Sequence, residues 1–288
     1  MRSNLVKRAI RKFVKRKIRV DELIKGKHVT IDDDVRINAK RLILGDGVTI
    51  KSGTIIEHTD TLIISDYTVI KNNCFISGTN WCYIGPNCWF GHFSVIDSIG
   101  TTEILGNTGA GAHSQLWSHI YFGDTLYGSR FAKENPLRIG YDVWFVGHCI
   151  VSPIKAGDRS MALVGSVVTK NMEPNHIYSG VPAVDITDKI GGQFKEKNPD
   201  LIKEEFDKIL FEACQKLKIN KDQFLIVDKI DPELNKTQFD LINRVYFKTN
   251  KEHESRLIKY LLPTKAKFIP MRQTDWVMNY KESLCSPT

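Results

Sequence analysis

Apolar residues recur every six positions over much of the stretch between residues 44 and 163. Gly, Asn, Asp or Ser repeatedly follow them, and these residues accommodate sharp turns. One six-residue unit cannot bury its own apolar anchor, so successive units must stack as coils. The spacing predicts a β-solenoid rather than a sandwich, whose strands would show period two at irregular intervals. The anchors are Leu44, Ile50 and Ile56; Ile64, Ile70 and Ile76; Ile84, Phe90 and Ile96; and Ile139, Phe145 and Val151, with Leu163 two periods further on.

The basic charge of the chain is concentrated at one end. Nine of the 41 basic residues lie in residues 1–20, which hold no acidic residue, so the other 32 stand against 33 acidic residues. A nucleic-acid-binding protein would spread a basic face through the fold, and we therefore expect no nucleic-acid partner. With no apolar run of transmembrane length, no signal-peptide pattern and six cysteines without a CxxC pair, we expect a cytoplasmic protein with reduced thiols.

Residues 1–26 are predicted to be a basic amphipathic helical segment. Apolar residues from Leu5 to Ile18 fall on one helical stripe, and basic residues fill the gaps between them. Such a helix can lie peripherally on an anionic membrane surface at the inner face of a membrane. It can equally pack its stripe on the protein or on a neighbouring subunit. The sequence leaves both interpretations open.

Three stretches carry a more specific pattern. Residues 139–153 read Ile-Gly-Tyr-Asp-Val-Trp-Phe-Val-Gly-His-Cys-Ile-Val-Ser-Pro, residues 162–170 read Ala-Leu-Val-Gly-Ser-Val-Val-Thr-Lys, and residues 178–183 read Tyr-Ser-Gly-Val-Pro-Ala. The pattern resembles the hexapeptide-repeat acyltransferases, in particular sugar and polysaccharide O-acetyltransferases. The resemblance implies a left-handed parallel β-helix over residues 27–190. It also implies a homotrimer with acetyl-CoA in a groove between neighbouring subunits.

The same resemblance assigns roles to individual residues. The backbone N–H or ring of Trp144 would border the thioester and the acceptor, so Trp144 is a candidate for both catalysis and cofactor binding; the structural alternative is an aromatic residue packed on a coil edge. Gly147 would let the pantetheine arm approach the backbone. The groove would continue along Val164, Gly165 and Ser166 and reach the nucleotide end at Thr169 and Lys170, where a lysine suits phosphate.

Two positions depart from the family pattern. Many relatives place an arginine after the Pro-Ala corner, where it helps to hold the cofactor phosphates. Here Val184 and Asp185 occupy that stretch, so the phosphate contacts must come from elsewhere. Residues 155–160 also depart from the usual coil sequence, which predicts a local irregularity.

The six-residue phase is lost in a loop at 117–136, which is aromatic-rich and polar. Long interruptions of a compact fold are often functional. In resembling proteins the catalytic histidine occupies a loop upstream of the Ile-Gly-x-x-Val-Trp motif. His119 is therefore the candidate general base, because imidazole can take a proton from a hydroxyl near neutral pH. The alternative for His119 is a structural histidine that is hydrogen-bonded in the loop. His113 is the second candidate, but it still lies in the regular phase, which favours a packing role, and His148 is not expected to act as a base.

The histidines show no spacing typical of zinc ligands. Five residues separate His113 from His119, and His58 and His92 are isolated. We therefore expect no metal.

Residues 191–288 are predicted to form a small C-terminal α+β appendage. Residues 199–218 have the apolar spacing of an amphipathic helix, and the Phe-Leu-Ile-Val run at 224–227 is typical of a buried strand. A second helix is predicted around 255–262, before Pro263.

These observations favour an acetyl-CoA-dependent O-acetyltransferase acting on a sugar hydroxyl of a surface glycan or its precursor. Two alternatives remain open: an N-acetyltransferase of a nucleotide-linked amino sugar, and a non-catalytic β-helix scaffold. An amine acceptor needs less help from a base, and a scaffold would not bind coenzyme A.

Overall fold

The chain folds into two units, Met1–Lys195 and Glu196–Thr288, and the computed structural model describes residues 18–130, 132–134 and 136–271. The last part of the predicted N-terminal helix is wrong, because Ile18–Lys25 forms a strand. This strand pairs in parallel with Arg36–Leu44 along its whole length. Its backbone groups are thus satisfied by the first coil instead of by helical bonds. The predicted helix over residues 1–17 lies outside the described residues.

The first unit is a solenoid whose coils each contribute strands to three faces, and strands of successive coils pair in parallel. Face 1 consists of Thr30–Ile31, Thr49–Ile50, Val69–Ile70, Trp89–Phe90, Gly109–Ala110, Trp144–Phe145, Met161–Ala162 and Ile177–Ser179. Face 2 consists of the first halves of Arg36–Leu44 and Ile55–Ile64, then Phe75–Gly78, Val95–Ser98, Gln115–Leu116, Ile150–Val151 and Val167–Val168. Face 3 consists of the second halves of those two long strands, then Cys82–Ile84, Thr102–Ile104, Leu137–Ile139 and Lys155–Ala156. The predicted parallel β-solenoid is confirmed, and its handedness stays a prediction.

The predicted anchors fill the interior of the solenoid, with one exception. All twelve residues of the four series are buried, and a fifth series, Ile104, Ala110 and Leu116, joins them. The exception is Leu163, since Ala162 is the residue that points inward. The reason is a short connection in the preceding coil, where face 3 is reached at Ala156, only five positions after Val151. The irregularity predicted at 155–160 lies just before that stretch, between Val151 and Ala156, and it shifts the inward position by one residue.

The coils before the loop are longer than three six-residue units. Eight positions separate Ile56 from Ile64 at the corner between faces 2 and 3, and the next two coils repeat this spacing. Residues 20 apart, such as Val69, Trp89 and Gly109, therefore stack directly on one another. This longer period determines which side chains meet on neighbouring coils.

The solenoid is interrupted where the sequence loses its phase. Face 2 is left after Leu116, and the chain rejoins face 3 at Leu137. Between them, His119–Tyr121 and Ala132–Glu134 pair in an antiparallel hairpin. Five cysteines of the described residues are free and buried, namely Cys74, Cys82, Cys88, Cys149 and Cys214, and Cys285 lies outside the described residues.

The last coil is closed by a reversed strand. Val184–Asp185 pairs antiparallel with Ile177–Ser179, and the short helix Thr187–Ile190 follows. The Asp185 carboxylate lies 2.6 Å from Nδ1 of His176 and accepts bonds from the backbone N–H and hydroxyl of Thr187. The His176 contact and the Thr187 bonds lower the pKa of Asp185 to about 2. Asp185 thus links the reversed strand to the last coil and to the start of the short helix.

The second unit combines two helices with a four-stranded mixed sheet. The helices are Pro199–Leu217 and Glu252–Leu261, and a 3-10 turn spans Lys221–Gln223. The strands are, in sheet order, Phe224–Val227, Thr237–Asp240, Val245–Phe247 and Ile269–Pro270. Rings of Phe206, Phe239 and Phe268 pack together in its core. The observed elements match the helices and the strand that the apolar spacing predicts.

Coil stacking leaves no room for a side chain at Gly111. A Cβ atom there would lie 1.9 Å from the backbone oxygen of Val146 on the next coil. At Gly109, two residues earlier, a Cβ would lie 3.5 Å from the nearest atom, in the Trp144 ring, which is ordinary contact. The two glycines therefore differ in their steric demand although they share one coil.

We predict that Gly111→Ala lowers the free energy of unfolding by about 1–3 kcal/mol, the usual cost of forcing extra atoms into a packed interior. Urea unfolding followed by circular dichroism measures this loss. Gly109→Ala is the matched control and is expected to stay within about 0.5 kcal/mol of the wild type. Equal unfolding midpoints for the two variants would contradict the coil spacing described above.

Candidate functional site

His119 lies at the base of the hairpin and contacts a buried carboxylate. Its Nδ1 is 2.8 Å from Oδ2 of Asp97. The Asp97 side chain is only 2% exposed, whereas that of His119 is 19% exposed. The pair therefore has a buried acceptor and an imidazole that solvent or a substrate can reach.

Ser118 fixes the same carboxylate oxygen from a second direction. Its backbone N–H donates to Asp97 Oδ2 over 3.0 Å and its hydroxyl over 2.5 Å. The Ser118 hydroxyl oxygen also accepts the backbone N–H of Gly100 over 3.0 Å. Three donors thus converge on one oxygen, which defines the position of His119 relative to the coil below it.

The contact with Asp97 determines which ring nitrogen of His119 is available for chemistry. A carboxylate accepts, so Nδ1 carries the hydrogen and Nε2 carries the lone pair. None of the described residues hydrogen-bonds to Nε2. The Trp117 ring lies edge-on to the imidazole at 5.9 Å between centroids, and its Nε1–H donates to Gln115. Among the described residues, these contacts orient the ring and leave the Nε2 lone pair without a hydrogen-bond donor.

The sequence predicts His119 as a candidate base and does not single out Asp97 or Ser118, which the structure places beside it. Asp97 projects outward from face 2, where an acidic residue is ordinarily solvated. Its position on the coil was the available signal, because coils of 20 residues place Asp97 next to residues 117–119. The register shows this directly: Glu57, Ser77 and Asp97 align on successive coils.

The predicted cofactor residues lie on two adjacent coils. Trp144 is on face 1, exposed, and pairs with Met161 of the next coil. Gly147 lies in the following turn, and its backbone oxygen accepts the N–H of Gly165 over 2.9 Å. Val164 and Gly165 are exposed at this corner. The structure therefore brings these residues together as one strip at the corner between faces 1 and 2.

The remaining cofactor candidates differ in accessibility. Thr169 and Lys170 are exposed beyond face 2 of the same coil. Ser166 is buried, and its hydroxyl donates to the backbone oxygen of Leu163 over 2.7 Å. Its side chain therefore serves the turn, so only its backbone could face a cofactor.

Within one chain, His119 and the strip lie at opposite ends of face 2. His119 follows face 2 at its far corner, next to face 3, whereas Gly147 and Val164 are at the corner with face 1. The strands Gln115–Leu116 and Ile150–Val151 of face 2 lie between them.

An aromatic ladder runs along the corner that carries the strip. The rings of Phe93, His113 and His148 stack at 4.9 and 4.8 Å between centroids, and we call these three residues the aromatic corner. All three are exposed turn residues with positive φ. The packing role expected for His113 takes this form, on the surface rather than in the interior.

The hairpin presents apolar side chains at its tip, residues 122–130. Phe122 is fully exposed, and Leu126 and Tyr127 are each 86% exposed. The turn is ordered, because the Asp124 carboxylate accepts the backbone N–H groups of Leu126 and Tyr127. An ordered, exposed apolar tip is typical of a surface that contacts another molecule.

Two features are absent from the part of the chain that the structure describes. No group of three or more His, Cys, Asp or Glu side chains there is arranged to hold a metal ion. No described helix is long and apolar enough to cross a membrane.

Comparison with known proteins gives short and distant similarities to acetyltransferases. No family model matches the chain. The galactoside O-acetyltransferase of Escherichia coli strain K12 is 42% identical over 48 residues, which are 16% of this chain and 24% of that protein. The chain thus spans about a quarter of the length of the curated relatives it matches.

Solved structures of acyltransferases also align with the chain. The N-acyltransferase AntD of Bacillus cereus, in complex with dTDP and coenzyme A, aligns with a TM-score of 0.39 at 14% identity, covering 69% of this chain and 95% of that one. A maltose O-acetyltransferase from Clostridium difficile 630 aligns with a TM-score of 0.27 at 17% identity, covering 65% and 75%. The chain is similar over a short segment to proteins named as acetyltransferases, among them a galactoside O-acetyltransferase.

Proposed function

We propose that the protein is an acetyl-CoA-dependent O-acetyltransferase that acts on a sugar hydroxyl of a surface glycan or its precursor. The observation that carries this proposal is the imidazole of His119, oriented by the buried carboxylate of Asp97 with Nε2 free. A hydroxyl is a poor nucleophile near neutral pH and needs a base during attack. The similarity to named sugar acetyltransferases and the family motif at 139–184 support the acetyl donor and the carbohydrate acceptor.

In the proposed reaction, Nε2 of His119 takes the proton of the acceptor hydroxyl as its oxygen attacks the thioester carbonyl carbon. The new C–O bond forms, and the carbonyl oxygen carries negative charge that nearby N–H groups stabilise. The C–S bond then breaks, and the imidazolium returns the proton to the departing sulfur. The products are an acetyl ester and free coenzyme A. Asp97 stabilises the imidazolium and holds the ring in position.

Acetyl-CoA would lie along the strip at the corner between faces 1 and 2. In this proposal Trp144 borders the thioester, Gly147 and Val164 contact the pantetheine arm, and the backbone of Gly165 and Ser166 continues the groove. The exposed Thr169 and Lys170 then suit the nucleotide end, where a cation complements phosphate. Asp185 takes no part, because its carboxylate is engaged by His176 and Thr187.

We further propose that the coils wind left-handedly and that the working form is a homotrimer. Two features support the assembly. The strip and His119 lie at opposite ends of face 2, so the base of one copy must serve the strip of another. The apolar hairpin tip and the aromatic corner are also exposed in the single chain, and burying such surfaces favours association.

We predict that His119→Ala lowers kcat for acetyl transfer by about 10²–10⁴-fold, the usual contribution of a general base, with an unchanged KM for acetyl-CoA. Asp97→Asn is expected to lower kcat by a smaller factor, since it removes the acceptor's charge and keeps its shape. The measurement is release of free thiol from acetyl-CoA in the presence of candidate glycans.

His92→Ala is the matched control, because His92 is an exposed histidine on another coil and is expected to retain wild-type kcat. A kcat for His119→Ala within tenfold of the wild type would show that His119 is not the base. Lability of the product to mild alkali identifies an ester, whereas a stable amide would assign the N-acetyltransferase instead. If calorimetry shows no binding of coenzyme A, the protein is assigned as a non-catalytic β-helix scaffold instead.

The basic N-terminal segment supports a further proposal, peripheral association with the cytoplasmic face of a membrane that presents a lipid-linked acceptor. We predict that the protein co-sediments with vesicles containing anionic lipid and not with neutral vesicles, and that deleting residues 1–17 abolishes this binding. The strands of the solenoid that the structure describes start at Ile18, so the deletion removes none of them. Unchanged binding after the deletion, or no binding by the intact chain, would contradict the proposal.

A further inference from the structure

A buried histidine lies on the coils beneath the candidate site and has no part in the chemistry above. His58 is 1% exposed and points into the solenoid at the end of face 2. Its equivalents on neighbouring coils are Ala39, Gly78 and Ser98. Burying an imidazole costs free energy unless its nitrogens are hydrogen-bonded, so its partners are informative.

The hydrogen bonds of His58 have a defined direction. The backbone N–H of Asp60 points at Nδ1 over 3.3 Å, which makes Nδ1 the acceptor. Nε2 therefore carries the hydrogen and donates to the hydroxyl oxygen of Ser98 over 2.8 Å. Ser98 in turn donates to the backbone oxygen of Ser77 over 3.2 Å. Burial lowers the pKa of His58, which keeps the ring in this neutral form.

The coil between His58 and Ser98 is shaped to allow this contact. The two residues are two coils apart, and Gly78 lies between them. A Cβ atom at Gly78 would lie 1.9 Å from the Ser98 hydroxyl oxygen. A side chain at position 78 would therefore displace the group that His58 holds.

Ser98 is the residue that follows Asp97, and from above this corner is held by bonds from Ser118 and His119 rather than by strand pairing. Pairing with the next coil ends at Ile96, opposite Leu116, because the chain then leaves for the hairpin. From below, Asp97 and Ser98 pair with Ser77 and Gly78. The backbone oxygen of Asp97 also accepts the Thr102 hydroxyl over 2.7 Å. Through its hydrogen bond to Ser98, His58 thus supports the corner that carries the Asp97 carboxylate.

We infer that His58 is a positioning residue for acetyl transfer: through Ser98 it fixes the corner at 97–102 so that Asp97 meets Nδ1 of His119. The inference rests on the proposed function, since the Asp97–His119 pair that His58 supports contains the proposed general base. Small displacements of a catalytic group can cost large factors in rate. A leucine at position 58 would fill the space and remove the donor, whereas a glutamine places an amide N–H near the original Nε2.

The test compares His58→Leu, His58→Gln and Ser98→Ala. We expect His58→Leu to lower kcat about tenfold with an unchanged KM for acetyl-CoA, and His58→Gln to restore most of the loss. Ser98→Ala is expected to match His58→Leu, and the double variant to lose no more than either single one, because both act on one contact. If His58→Leu does not fold, Ser98→Ala alone tests the same contact.

A spectroscopic readout separates this inference from the proposed function. The Nδ1–H proton of His119, identified by its loss in His119→Ala, is followed by NMR in ¹⁵N-histidine-labelled protein. His58→Leu is expected to shift or broaden it, and Ile76→Val, a buried change on the same face away from the polar contact, is expected to leave it unchanged. If His58→Leu and Ser98→Ala keep wild-type kcat and this resonance, the inference is overturned. If the wild type transfers no acetyl group, the proposed function fails and the resonance decides the positioning role.

Discussion

The structure depends on the stacking of one coil on the next. Each coil donates backbone N–H groups to its neighbour and buries one anchor per face, so no coil is stable alone. This constraint fixes the register, and register decides which outward side chains become neighbours. It also accounts for the small residues at tight positions such as Gly111, where the next coil's backbone occupies the space of a side chain.

The candidate site arises where this regular stacking is interrupted. The chain leaves the solenoid after Leu116, and the first residues of the hairpin fold back over Asp97 on the coil below. An outward-facing carboxylate thereby becomes buried and acquires three donors. The regular coils carry Asp97, and the hairpin carries the imidazole of His119. The candidate site therefore lies at the corner where the hairpin interrupts the connection between faces 2 and 3.

The repeat was predictable because the anchors carry it directly, residue by residue. The predictions that the structure corrects fail for specific physical reasons. Leu163 was assigned to the interior because the coil before it is one residue short, which a fixed six-residue period cannot show. Residues 18–25 have an apolar spacing that also suits a helix, and only pairing with Arg36–Leu44 decides for a strand. The sequence does not single out Asp97, because its burial comes from Ser118 and His119, which lie on the next coil at the start of the hairpin.

We propose that His119 of one chain acts on acetyl-CoA held by the strip of another. The decisive measurement is a crystal structure of the assembly with coenzyme A and an acceptor sugar. We expect coenzyme A along Trp144, Gly147 and Val164 of one copy. We also expect Nε2 of a neighbouring copy's His119 about 3 Å from the acceptor hydroxyl. Coenzyme A bound elsewhere on the solenoid, or a His119 that faces no acceptor, would contradict this proposal.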